Sequence, residues 1–138
     1  MKEMRITWME TTSIELKKKA ATAQNGVSCK VGMLPTIEKA DEDHFAAHIA
    51  ISASAEGLFE LNFVSSAGFE IERYEESQEE FEGIIQTALG AVYPYARNTL
   101  SQLLSLASIQ PIYLPIINVM DAFSKDKVKV VETPKTSN

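Results

Sequence analysis

From Met4 to about Glu72, apolar side chains recur at every second position. Met4, Ile6 and Trp8 share one phase, and Ile14 and Leu16 continue it beyond the polar run "ETTS", where a bend or bulge is expected. Val27, Cys29, Val31 and Met33 alternate against Ser28, Lys30 and Gly32. Phe45, Ala47, Ile49, Ile51 and Ala53 form a third set, and Phe59, Leu61 and Phe63 a fourth. Period two gives a strand one buried and one wet face, so the four runs predict a four-stranded antiparallel sheet. The turn between the last two is "SAEGLFE". A tight Glu56-Gly57 turn would set Ile51 opposite polar Asn62, whereas a loop from Glu56 to Leu58 sets Ile51 opposite Phe63 and Ala53 opposite Leu61. Only the longer loop brings both apolar rows to one face, with Gly57 taking a positive φ.

Beyond Glu72 the period changes. In "SQEEFEGIIQTALGAV", Phe81, Ile84, Ile85, Ala88, Leu89 and Val92 follow the i, i+3, i+4, i+7 spacing of one helix face. Ser77 and Glu80 form a capping box, and Glu79, Glu80 and Glu82 suit the positive end of the macrodipole. Pro94 is expected to kink the long helix or break it in two. Ala96, Leu100, Leu103, Leu104 and Ala107 then resume the stripe. Pro111 and Pro115 impose an extended crossing, and "NVMDAF" reads as a short C-terminal helix capped by Asn118. From Ser124 the chain is rich in lysine and poor in apolar residues, so 124–138 is expected to be a flexible tail behind a single domain spanning 1–123. Strands followed by helices make the class α+β.

Composition narrows the function. With 138 residues, 45% hydrophobic and 23% charged, the chain fits one soluble globular domain. A net charge of −6 argues against nucleic acid and against an anionic membrane surface. The single Cys29 excludes an internal disulfide and a thiolate-rich zinc site. No apolar run has the length of a signal sequence or a membrane span, and a cytoplasmic location is expected.

Candidate chemistry is sparse. There is no phosphate-binding glycine loop and no nucleophile elbow, so no enzyme and no cofactor are expected. His44 and His48 are four apart, but on a strand they share the wet face without a third ligand, so no metal is expected. Asp41, Glu42 and Asp43 read as a solvated turn, and Glu70, Glu72, Glu75 and Glu76 as solvated charge or a contact patch for a basic partner. What stands out is apolar surplus. Leu103, Leu104, Leu106, Ile109, Ile112, Leu114, Ile116 and Ile117 all need cover after the first helix has taken its share of one small sheet. Such surplus is shared with another subunit or held open for a ligand, and an extended peptide at a sheet edge or groove is a suitable guest.

The segment "YPYARNTLSQLLSLASIQPIYLPIINVMDAF" resembles the C-terminal half of the SecB family of protein-export chaperones. Tyr93, Pro94, Tyr95, Ala96 and Arg97 match that family's aromatic-Pro-Tyr-Ala-Arg run, and Pro111, Leu114, Pro115, Asn118 and Phe123 fit its proline-bounded crossing and closing helix, with Leu114 displaced by one position. The resemblance implies a homotetramer, a dimer of dimers, that holds unfolded polypeptides in apolar grooves without ATP. Tyr93, Tyr95, Pro111, Ile112, Tyr113, Leu114 and Pro115 are then the expected client-binding residues. Trp8, Phe81, Ile84, Ile85, Ala88 and Leu89 are the expected oligomer interface, the helix residues being equally readable as core. Members that deliver preproteins to the SecA motor carry acidic residues on the first and last strands. Glu15 matches on the first, while on the last Asn62 stands at the family's glutamate and Glu60 lies close by. Glu15 and Glu60 are thus the expected partner-binding residues. Other SecB-like proteins guard an antitoxin, and an oligomeric adaptor without clients is the third reading.

Overall fold

The alternating first half forms four long strands in the computed structural model, which describes residues 4–19, 29–41, 43–71, 78–107, 109, 123 and 127–132. These are β1 (Met4–Lys18), β2 (Cys29–Lys39), β3 (His44–Ala55) and β4 (Phe59–Ile71). One helix, α1 (Gln78–Leu106), follows, and a short strand β5 (Lys129–Glu132) closes the order. The sheet runs β1-β4-β3-β2-β5. The first four strands pair antiparallel, as expected; β5 joins β2 in parallel. The sheet is therefore five-stranded and mixed, and its extra strand comes from the segment read as a tail.

The β3–β4 register is the one the longer loop requires. Ile51 faces Phe63, Ala53 faces Leu61, and Gly57 has φ 78°. The Leu58 amide donates to the Ala55 carbonyl at 2.9 Å, closing the loop. One face of these strands is the core: Phe45, Ile49, Ile51, Leu61, Phe63 and Phe69 are at most 2% exposed.

β1 departs from simple alternation twice. It gains one extra residue between Ile6 and Trp8 and another between Thr12 and Glu15. The second bulge lies at the expected polar run, with Ser13 in the left-handed region at φ 54°. The first, at Thr7, reverses the phase. Met4 and Ile6 lie opposite core residues Ile71 and Phe69, but Trp8 lies opposite Gly68 and so faces away from the helix, leaving Met9 on the helix side opposite Ala67. Past the second bulge Leu16, opposite Leu61, returns to the helix side.

α1 lays Phe81, Ile84, Ile85, Ala88, Leu89, Val92, Ala96, Leu100 and Leu104 onto the sheet, all buried. It passes Pro94 unbroken. A proline removes only the bond to the carbonyl four residues back, and here Pro94 is exposed and Gly90 part-exposed, so that carbonyl is within reach of water. The N-terminal turn is pinned by Phe45, whose ring centroid is 6.3 Å from that of Phe81, and by the Lys39 ammonium 4.8 Å above the Phe81 ring. Ser77, residues 110–122 and the ends of the tail lie outside the described residues, and with them the proline-rich crossing and most of the expected closing helix. Phe123 of that helix is described within a turn and is fully buried. Among the described residues no helix is long and apolar enough to cross a membrane.

Candidate functional site

Among the described residues, the apolar surface that one copy leaves uncovered is concentrated on β1. Ile6, Trp8, Met9 and Ile14 are 48%, 42%, 36% and 52% exposed, half of the large exposed apolar side chains among the described residues. Ile6 and Met9 belong to the helix-side face, yet α1 does not reach far enough to bury them. The flank of α1 that faces this edge is identified by its bonds. Thr99 Oγ1 lies 3.5 Å from Thr11 Oγ1, which is itself 3.1 Å from the Ser65 hydroxyl. Lys18 Nζ donates to the Ala107 carbonyl at 2.8 Å. The C-terminal part of α1 thus runs beside the second half of β1. Ile6, Met9 and Ile14 are the exposed apolar side chains along this edge strand, and Leu106, 82% exposed, is the last residue of α1.

The hydroxyl thread ties α1 to β1 and β4. Ser65 is fully buried and would be an unsatisfied donor if Thr11 were absent. The Thr99 hydroxyl also donates to the Tyr95 carbonyl at 3.0 Å, keeping this side chain against its own helix. None of these three residues was expected from the sequence; the polar "ETTS" run was the only signal, and it was read as a bend.

The expected client-binding residues divide. Tyr93 is buried, 5% exposed, with its ring against Phe123 in an edge-on arrangement at 6.0 Å. Burial pushes its hydroxyl pKa above the usual 10.0, with Arg97 opposing. Tyr93 is therefore packed within the single copy. Tyr95, one turn before Thr99, is part-exposed and lies on the flank facing β1. Pro111, Ile112, Tyr113, Leu114 and Pro115 lie outside the described residues.

The expected interface residues divide as well. Phe81, Ile84, Ile85, Ala88 and Leu89 are 8% exposed or less within a single copy. Their own sheet already covers them, so their apolarity is explained as core, the other reading open to them. Trp8 is different: it stands on the far face of the sheet, its indole laid over Gly68 so closely that a Cβ there would overlap the ring nitrogen.

Glu15 and Glu60 come together on that far face. Glu15 lies opposite Asn62, and Glu60 lies opposite Lys17, a diagonal neighbour of Glu15. Each has a lysine: Lys17 at 3.3 Å from Glu15 and Lys19 at 3.3 Å from Glu60. The two carboxylates are thus neutralised locally. Elsewhere on this face Arg5 bonds Glu70 at 2.7 Å, and His48 touches the Ser66 hydroxyl at 2.7 Å and Glu38 at 3.1 Å. His44 Nδ1 donates to Asp41 at 2.7 Å, and that bond raises the His44 pKa above 6.5 and lowers that of Asp41 below 3.8. Among the described residues no group of three His, Cys, Asp or Glu side chains could hold a metal.

Two hollows among the described residues are open depressions. One of about 400 Å³ borders Ser101, Gln102, Ser105 and Leu106, and one of about 310 Å³ crosses the far face from Ser13 to Leu34. Neither encloses a small molecule as a binding cavity does.

No protein-family model matches the chain, and no curated protein matches it. Among solved structures, a SecB-like chaperone of Mycobacterium tuberculosis, in complex with a ChAD peptide from the HigA1 antitoxin, is similar over 83% of this chain and 91% of its own, with TM-score 0.70 and 18% identity. A protein of unknown function from Streptococcus agalactiae covers 84% of this chain and 99% of its own at TM-score 0.43 and 11% identity, and carries no argument. The chain thus has the fold of a SecB-like chaperone, in agreement with the resemblance of residues 93–123.

Proposed function

We propose that this chain, folded as a SecB-like chaperone, holds extended segments of unfolded polypeptides without ATP, as a cytoplasmic homotetramer. The observation that carries the reading is the uncovered apolar side chains Ile6, Met9 and Ile14 on β1, with Leu106 exposed at the end of α1. A soluble chain leaves such side chains exposed where a partner or client covers them. Tyr95, Pro111, Ile112, Tyr113, Leu114 and Pro115 are the further client-binding residues of this reading. Trp8, on an edge strand, packs across a pair of β1 strands in the oligomer.

The test is suppression of aggregation of a chemically denatured reference protein, with no nucleotide present. Suppression at near-stoichiometric chain is expected; none at tenfold excess overturns the reading. Leu114→Asp is expected to weaken client binding at least about tenfold, the scale of one lost apolar contact, while a sizing column still returns the tetramer. A parent that elutes as a monomer overturns the oligomer.

A dedicated client is favoured over general export. The structural neighbour is bound to an antitoxin peptide, and the carboxylates Glu15 and Glu60 each carry a lysine, which weakens the acidic surface a SecA-type motor would need. Co-purification from the native cell that returns one antitoxin-like protein supports this; a broad set of preproteins, together with SecA binding lost in Glu15→Lys or Glu60→Lys, reverses it.

A further inference from the structure

The edge of the sheet opposite β1 carries a second surface. β2 pairs with β3 along its whole length, from Cys29 to Lys39. Its outer side is paired only from Thr36 to Lys39, by β5, in parallel. Among the described residues, the stretch from Cys29 to Pro35 has no strand on its outer side, and Val31 and Leu34 along it are 40% and 55% exposed. A strand edge is a row of donors and acceptors awaiting a chain. β5 shows that this one accepts an extended segment. Its hold is slight: four register pairs, against eleven between β2 and β3, in the weaker parallel geometry. Among the described residues 127–132, Val128, just before the strand, is the one buried, while Val130, opposite Ile37 on the helix side, stays 41% exposed. A sequence alternating lysine and valine, "KVKVV", is what a period-two guest looks like: every second side chain is apolar.

We propose that the outer edge of β2 is a strand-accepting site for extended segments with alternating apolar residues, and that β5 is its displaceable resident, supplied by the chain itself. The guest pairs in parallel from the open Cys29 end through Thr36–Lys39 and displaces β5. That this guest is a client segment rests on the holding reading; the strand-accepting edge does not. A resident tethered to the same chain acts at high effective concentration and sets a threshold that a short or polar guest does not pass. The edge would then select longer apolar segments.

The probe is a fluorescent peptide with the chain's own sequence from Lys127 to Thr133, titrated into the full-length parent, Val130→Pro, Val131→Pro and Val130→Thr. Proline removes an amide and, where that amide faces β2, breaks the β5 ladder, whereas threonine keeps it. The proline variant whose lost amide faces β2 is expected to bind the peptide at least about tenfold more tightly than the parent, because its competent state is no longer masked. Val130→Thr is expected to match the parent, and bound peptide to slow hydrogen exchange in β2. Equal affinity of the parent and both proline variants overturns the proposal. So does tighter binding that leaves β2 exchange unchanged, or a gain in Val130→Thr equal to that of the tighter-binding proline variant. Aggregation suppression run alongside separates the two readings. A parent that suppresses aggregation while the proline variants gain no peptide affinity sinks only the edge site. A gain in affinity where no variant suppresses aggregation sinks only the holding function.

Discussion

Under α1, Ile49 and Leu61 are 0% exposed and Phe45 and Phe69 are 2% exposed, each on a strand whose next residue points the other way. On that other side His44, Ser52, Glu60 and Asn62 are exposed, and the apolar residues among them are mostly small, such as Ala46 and Ala50. The same strands therefore make one face by volume and the other by charge pairing over a shallow floor. Stability resides in the first. The second tolerates exchange, apart from the place where Trp8 covers Gly68. The proposed functional surface belongs to neither face alone: it follows the edges, where the helix no longer covers the sheet.

The largest break in this contrast is a cavity on the covered face. Leu89→Ala, at a fully buried position of α1, is expected to destabilise the fold by about 2–5 kcal/mol, read from urea unfolding. A loss under 1 kcal/mol would mean that the helix is poorly seated. The next test is on the far face. Gly68→Ala pushes a methyl into the Trp8 indole and is expected to lose about 1–3 kcal/mol, most of it recovered in the Trp8→Ala, Gly68→Ala double variant. If the two losses simply add, Trp8 does not rest on Gly68.

The smallest effect is a titration. His44 and Asp41 are exposed, and the bond between them favours imidazolium and carboxylate together. The histidine's contribution is complete below its unfolded value of 6.5 and disappears as pH rises through its raised folded value. The aspartate's is present above 3.8 and disappears as pH falls through its lowered value. In Asp41→Asn the His44 imidazole resonance is expected to titrate closer to 6.5 than in the parent. An unchanged midpoint would remove Asp41 as the cause.

Much of the covered face was legible in the sequence. The β3–β4 register followed from a single requirement, that Ile51 and Ala53 share a face with Phe63 and Leu61, and no rival loop met it. The α1 stripe was equally plain because Phe81 through Val92 repeats at helical spacing. The edges were not. Nothing at Thr7 marks a bulge, and tryptophan suits either face, so Trp8 was placed in phase with Ile6. The alternation in "KVKVV" is a strand signal, but a lysine-rich terminus with so few apolar residues reads equally well as solvated chain. Its strand depends on a distant edge to dock on. The hydroxyl thread was hidden for the same reason: Thr11, Ser65 and Thr99 are far apart in the chain, and only the packed fold brings them together.

The two extra residues of β1 behave like a frameshift followed by its correction. Between them five positions are read inside out; beyond them the original frame returns. Loss of the extra residue at either bulge would let the strand run straight there, with every partner and face beyond it unchanged. Straightening the ladder while keeping that residue would instead turn over all that follows. Lineages of this fold should therefore be free to shed each extra residue on its own.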